Sequence, residues 1–214
     1  MKYWDEIFEK IENGEFFDVH ADGLYTEIEV LNGKVLDIGC GTMDYLSYIK
    51  QSDSNYLVAL DFSKKALKLA KENIKGKNIA LVRARADKLP FKNNVFDQVL
   101  CIELIPHTVD YNRVIKEIQR TLNQNTVLTF HHKDDALKSN LTQVGDNIFE
   151  DEGKKYTYFD EYEVSTMLQK VGFHNIKTKI LTLGDIYQIP RYMLWPSCLP
   201  PRNTKAVIQT QCIK

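Results

Sequence analysis

VLDIGCGTM, residues 35–43, is the stretch from which the rest of the chain can be read. Val35, Leu36 and Ile38 predict a strand, Gly39-Cys40-Gly41 predicts a sharp turn, and residues 43–50 suit a helix. Strand, glycine turn and helix in that order make a ligand crevice in an open α/β sheet. Glycine suits such a turn because it reaches backbone angles closed to residues with a Cβ and lets the main chain approach a ligand.

Upstream, Trp4, Ile7, Phe8 and Ile11 fall at helical spacing and predict a helix over 3–12. It would either pack on the sheet or cover the glycine turn. A second helical run is expected over 24–31, before Asn32-Gly33, so residues 1–31 would form an N-terminal lid. Downstream, Leu57-Val58-Ala59-Leu60 is a strand ending in Asp61, and Ser63 can cap a helix that turns Ala66, Leu67, Ala70 and Ile74 inward. Strands at 79–82, 96–102 and 126–130 follow. Tyr111, Val114, Ile115, Ile118 and Leu122 mark a helix before the last of these. The alternation predicts an α/β fold: a doubly wound, mostly parallel sheet with helices on both faces. Residues 133–157 are polar and weakly patterned, and are expected as a surface insertion. Asp160 and Glu163 form a capping-box pattern for a helix closed by Gly172. Strands at 176–183 and 206–213 bring the count to about seven, the last antiparallel. An insertion at 184–204 separates them, and its apolar, proline-rich part (187–202) is expected to wall a pocket or to contact a second copy in a homodimer. One domain is expected over 1–214.

The balance of 28 basic and 29 acidic side chains leaves a formal charge of −1, so no global field attracts a polyanion and nucleic acid is not expected as partner. Cys40, Cys101, Cys198 and Cys212 are scattered, with neither a zinc spacing nor a disulfide framework, which fits a reducing, cytoplasmic location. No apolar run approaches the ~20 residues that cross a bilayer, so no membrane is expected.

In a doubly wound sheet the ligand lies beyond the carboxyl ends of the strands. The first strand supplies Asp37, Gly39, Cys40 and Gly41. The second ends in Asp61, where a carboxylate can accept from both ribose hydroxyls of an adenosyl group, with Phe62 beside it to stack on the base. Asp87 follows the third strand and could accept from an exocyclic amine, although it could equally form a surface turn. Glu103 and His107 follow the fourth, His131 and His132 the fifth. Histidine is the natural base at neutral pH, so His107 and then His131 are the catalytic candidates. His131 and His132 are adjacent and point to opposite sides of extended chain, and no metal is expected there. Cys40 and Cys101 read as small core-lining residues without a reactive thiol.

Taken together, VLDIGCGT, VALDFS, ARADKLPF and FDQVLCIELIPHTVD, with YFDEYEV and VGF beyond them, resemble the class I S-adenosylmethionine-dependent methyltransferases over about residues 33–180. The resemblance implies a Rossmann-like methyltransferase fold and S-adenosylmethionine as cofactor. It places Asp37 and the Gly39–Gly41 turn at the methionine end, Asp61 on the ribose, and Phe62, Asp87 and Leu89 around adenine. Cys101 and Glu103 fall by the methyl-sulfonium. Two departures stand out. Met43 replaces a third glycine and is expected to project where the cofactor approaches, and Pro106 replaces an acid before His107.

The expected function is methyl transfer to a small, apolar or aromatic molecule, with the acceptor covered by the N-terminal helix, the 133–157 insertion and the 187–202 loop. A protein that kept the fold as a non-catalytic binding module is the rival, supported by Met43 and Pro106. A protein or RNA methyltransferase would need a basic stripe on one face. A nicotinamide oxidoreductase is disfavoured, because Met43 and Asp44 stand near where its fingerprint needs a glycine.

Overall fold

The computed structural model describes residues 2–13, 23–26, 28, 30–49, 56–133, 136–186 and 205–214. Its centre is the parallel set β1 (Lys34–Ile38), β2 (Tyr56–Asp61), β3 (Ile79–Arg83), β4 (Phe96–Cys101) and β5 (Leu122–His132), ordered β3-β2-β1-β4-β5. Successive residues of a strand face opposite sides, and both sides of these strands are apolar. Leu36, Ile38, Val58, Leu60, Val99 and Cys101 join one core with Val114, Ile115 and Ile118 of α4 (Tyr111–Thr121) and Val164 and Leu168 of α5 (Glu161–Val171). Val35, Leu57, Ala59 and Leu100 join the other, with Leu24 of α2 (Gly23–Thr26) and Ala70 of α3 (Lys64–Asn73). Two apolar faces with helices on each are what make the sheet doubly wound.

Local signals match the expected helix ends. Ser63 Oγ accepts the Ala66 N–H at the start of α3, and Asp160 and Glu163 form the reciprocal capping box of α5. Gly172 takes φ 101 at its end. Beyond β5, β9 (His174–Thr182) and β10 (Lys205–Ile213) complete the main sheet. The last strand, β10, lies antiparallel between β5 and β9.

The insertion at 133–157 is more regular than its polarity suggests. It holds β6 (Thr142–Gln143), β7 (Ile148–Asp151) and the start of β8 (Lys154–Phe159), an antiparallel set whose last strand returns to β5. β5 outruns β4: the last β4 residue, Cys101, pairs with Leu128. His131 and His132 therefore pair with Tyr158 and Phe159 of β8 instead. Thr157 Oγ1 donates to the Ile105 carbonyl at 3.1 Å, which ties the insertion to the segment after β4. Turn residues rather than apolar periodicity build this set, so its pattern was unreadable in the sequence.

Two helical expectations fail. The first helix forms as α1 (Lys2–Glu12), but of the described residues in the 24–31 run only those of α2 are helical, and Leu31 lies in an isolated bridge. After the glycine turn, 43–50 gives only a 3-10 turn, Asp44–Ser47. The cause is Met43, whose left-handed backbone (φ 59, ψ 26) keeps the conformation a glycine would adopt and delays the helical run. Its side chain is not aimed at a ligand: it is fully buried with Leu46, Val35 and Ala70. The 187–202 loop lies outside the described residues.

Truncating Met43 should therefore be a packing defect. Met43→Ala is expected to lose about 2–5 kcal/mol of stability in urea unfolding, the usual cost of emptying a buried methionine site. A loss below about 1 kcal/mol would show that the side chain is not packed in the core.

Candidate active site

The glycine turn begins as an extension of the sheet, since Gly39 and Cys40 both donate their N–H to the Leu60 carbonyl, at 2.7 and 3.1 Å. Asp61 then clamps it. Oδ2 accepts the Gly41 N–H at 3.2 Å and Oδ1 accepts the Ser63 N–H at 2.8 Å, so one buried carboxylate joins the turn to the start of α3. Gly39 (φ 79) is indispensable on two counts, because a Cβ there would also lie 3.0 Å from the Leu104 side chain. At Gly41 the nearest neighbour is the ring of Phe8, 3.9 Å from where a Cβ would stand. α1 thus lies over the turn. It is held there by the Ser63 hydroxyl, which donates to Asp5, and by Glu12 between Lys65 and Lys68.

Asp37 is 3% exposed and accepts from the Tyr45 hydroxyl, whose ring stacks on Tyr25 at 4.5 Å. Burial, and then the negative charge of Asp61, push its carboxyl up to about 8. Burial raises Asp61 as well, against the N–H groups of Ser63 and Gly41 that favour its ionised form. Two buried acids with no opposing cation among the described residues suit a ligand that brings positive charge. The residues present therefore fit S-adenosylmethionine, which carries an ammonium and a sulfonium.

A second cluster forms where β4 ends. Glu103 has a left-handed backbone (φ 53), held by Thr129: the Glu103 N–H donates to Thr129 Oγ1 at 2.7 Å, and that hydroxyl donates back to Oε1 at 3.3 Å. Strain held in place by its neighbours is common at functional sites. Glu103 Oε2 lies 3.1 Å from His131 Nε2. His107 stands edge-on to His131 at 5.4 Å, to Trp4 of α1 at 5.1 Å and to Tyr156 of β8 at 5.4 Å. The Lys154 ammonium lies over the rings of Trp4 and Tyr156. Burial, reinforced by His131, holds His107 down at about 3, so its ring is neutral at ordinary pH. Burial works against ionised Glu103, but the neighbouring His131 and the hydrogen bond from Thr129 help to outweigh it, and its pKa lies below the usual value. The adjacent histidines do part company: His132 turns the other way, to Glu161 at 3.2 Å.

Of the residues singled out from sequence, Asp37, Gly39, Cys40, Gly41 and Asp61 meet at the turn, and Glu103, His107 and His131 meet beyond β4. Leu104 against Gly39, and Trp4 beside Phe8 on α1, connect the two groups. Asp87 is placed differently from the expected open acceptor: Arg85 holds both its oxygens in a fork, at 2.8 and 2.7 Å, and keeps its carboxyl below the usual range. The side chains of Leu89 and Cys101 belong to the first core and that of Cys40 to the second. Burial pushes both thiols far up, and neither is reactive. Phe62 is half-buried, and its carbonyl accepts from Arg83. Sequence reasoning missed Tyr45, Thr129 and Tyr156. Tyr156 carried no signal because it sits in the polar insertion.

Residues 36–130 match the family model described as a methyltransferase domain. Demethylmenaquinone methyltransferase of Staphylococcus carnosus is 27% identical over 203 residues, covering 83% of this chain and 84% of the relative. The enzyme of the same name from Anoxybacillus flavithermus is 27% identical over 175 residues, covering 71% and 74%. The chain is similar to the class I S-adenosylmethionine-dependent methyltransferases. Among solved structures, a methyltransferase of this kind from Thermotoga maritima superposes with TM-score 0.66 at 18% identity, covering 100% of both chains. One from Mesorhizobium loti gives 0.65 at 16%, covering 87% and 94%. At such identities these two likenesses establish the fold.

Both departures from the pattern of these enzymes have a structural account. Met43 is a core residue, and the acid absent at Pro106 has a counterpart in Glu103, which reaches the histidines from three residues upstream of it. Among the described residues no helix is long and apolar enough to cross a membrane.

The raised carboxyl of Asp37 predicts a pH dependence. In an unfolded chain it titrates near ~4, in the folded chain near 8, so folding takes up a proton between those values. This contribution to stability is complete below about pH 4 and fades as pH rises through about 8. Asp37→Asn, which cannot ionise, is expected to melt higher than the unmodified protein by a margin that grows from about pH 5 to about pH 8. A margin independent of pH in thermal scans would refute the assignment.

Proposed function

We propose that this methyltransferase acts on a small, apolar or aromatic molecule with an ionisable group, held beneath α1 against Glu103, His107 and His131. The observation that carries the reading is the span of that one helix. Phe8 lies over Gly41 in the glycine turn, and Trp4 lies against His107 in the carboxylate–imidazole cluster. Small-molecule pockets are mostly apolar with a few convergent polar groups, and here Trp4, Phe8, Tyr156 and Tyr158 surround three. The names of the relatives, demethylmenaquinone methyltransferases, support a quinone-like acceptor.

In this reading Asp37 and the backbone of Gly39, Cys40 and Gly41 hold the methionine end of the cofactor. Asp61 keeps lone pairs for the ribose hydroxyls, and Phe62, Asp87 and Leu89 border adenine, Asp87 with its fork to Arg85 intact. Cys101, through its backbone, and Glu103 border the methyl group. Bound S-adenosylmethionine supplies an already activated methyl, so the protein's work is alignment and removal of charge or a proton from the acceptor. α1 excludes water from the reacting atoms as a lid, with the 133–157 insertion closing the side. The 187–202 segment remains the proposed remaining wall or dimer contact.

Titration with S-adenosylhomocysteine is expected to show binding that Asp61→Ala weakens by about 100-fold, the loss of two hydrogen bonds to a charged acceptor. With quinols and phenols as acceptors, Glu103→Gln is expected to lower kcat by about 100-fold at unchanged cofactor affinity. Methylation of none of these acceptors, or full activity of Glu103→Gln, would defeat the reading.

A further inference from the structure

We propose that Glu103, His107 and His131 together bind a divalent transition-metal ion, which receives the ionisable oxygen of the acceptor. The inference rests on the acceptor position given above. The first observation is convergence. One donor atom from each residue can be chosen so that all lie within 4.8 Å of one another, and the three come from the end of β4, the turn after it and the end of β5. Donors about 2.1 Å from one ion stand roughly 3–3.5 Å apart in a tetrahedral site, so side-chain rotations of about 1 Å assemble the shell.

The second observation is unsatisfied nitrogen. Nδ1 of His107 and Nδ1 of His131 are buried without a hydrogen-bond partner. A Glu–His pair alone would account for Glu103 and His131 Nε2, but it leaves Nδ1 of His107 buried among ring edges without a partner. Leaving such an atom unpaired costs on the order of 1–3 kcal/mol, and a metal ion removes that cost. The third observation is support around the carboxylate. Thr129 holds both the backbone and Oε1 of Glu103, and hydrogen-bonded orienting of a ligating carboxylate is the usual companion of a metal shell.

The donor set selects the ion. Two imidazoles and one carboxylate suit Zn²⁺, Fe²⁺ and their neighbours, whereas Mg²⁺ and Ca²⁺ take all-oxygen shells. Three protein donors leave coordination positions open. An acceptor hydroxyl taking one of them keeps its oxygen electron pair on the metal and releases its proton to solvent. The oxygen is then electron-rich for attack on the methyl carbon without a separate base, and the bond from that carbon to the sulfonium breaks with its electron pair left on sulfur, releasing S-adenosylhomocysteine. Lys154, the neighbouring cation, is turned onto the rings of Trp4 and Tyr156.

The test uses the full chain, stripped with a chelator and titrated with Zn²⁺ by calorimetry and with Co²⁺ by visible absorption. The expected result is about one ion per chain, with a cobalt band distinct from that of the hydrated ion. His107→Ala and Glu103→Gln should each weaken binding by about 100-fold, and His174→Ala, an exposed histidine elsewhere, should not. Affinity for S-adenosylhomocysteine serves as the control for folding, and His107→Gln replaces the alanine variant if the latter fails it. No zinc or cobalt binding, or binding that survives loss of His107, overturns the metal site. Because the titration needs no acceptor, that failure is separate from a failure of the acceptor screen.

Discussion

Asp61 is the interaction on which the rest depends. One carboxylate at the end of β2 takes the N–H of Gly41 on one side and of Ser63 on the other. Ser63 in turn caps α3 and donates to Asp5 of α1. The glycine turn, the crossover helix and the covering helix are therefore registered to one another through two adjacent polar residues. Both are buried, Asp61 to 7% exposure and Ser63 to 1%. In so dry a setting an unpaired hydrogen-bonding group is costly, which makes the arrangement a single geometry rather than a loose set.

The second half of the site follows from strand length. Because β5 runs past the last β4 residue, His131 reaches a level where the sheet has space on the β4 side. β8 fills that edge, and with it come Tyr156 and Tyr158. Burial then acts on the two clusters in the same chemical sense, favouring neutral forms: it raises Asp37 and depresses His107. The glycine-turn side is left with two buried acids, and the far side with a neutral His107 whose Nδ1 has no hydrogen-bond partner. The two clusters, linked through α1, thus differ in what they ask of a ligand.

Much of this was legible before folding. The five parallel strands, the capping of α3 by Ser63, the capping box of α5 and the pairing of roles at Gly39, Gly41 and Asp61 all follow from local rules. Those rules are apolar runs, short polar caps and glycine where a side chain would clash. The failures are equally physical. The 43–50 run has helical periodicity, but periodicity cannot reveal that Met43 would adopt a left-handed backbone and bury its side chain. The 133–157 insertion is polar because it forms short, half-exposed antiparallel strands, whose alternation is masked by charged residues. Nor does sequence show that Arg85, two residues away, folds back to hold both oxygens of Asp87.

The sequence by itself determined the fold class, the order of the strands' helices and the cofactor end of the site. Their signals are local, and the contacts that hold the turn itself, Gly39 to Leu60 and Gly41 to Asp61, span about twenty residues. Tertiary structure alone decided the second cluster. Glu103 and His131 lie 28 positions apart, and Trp4 lies 103 positions from His107. No spacing rule connects them, because they are brought together by how far one strand outruns another and by where a covering helix comes to rest.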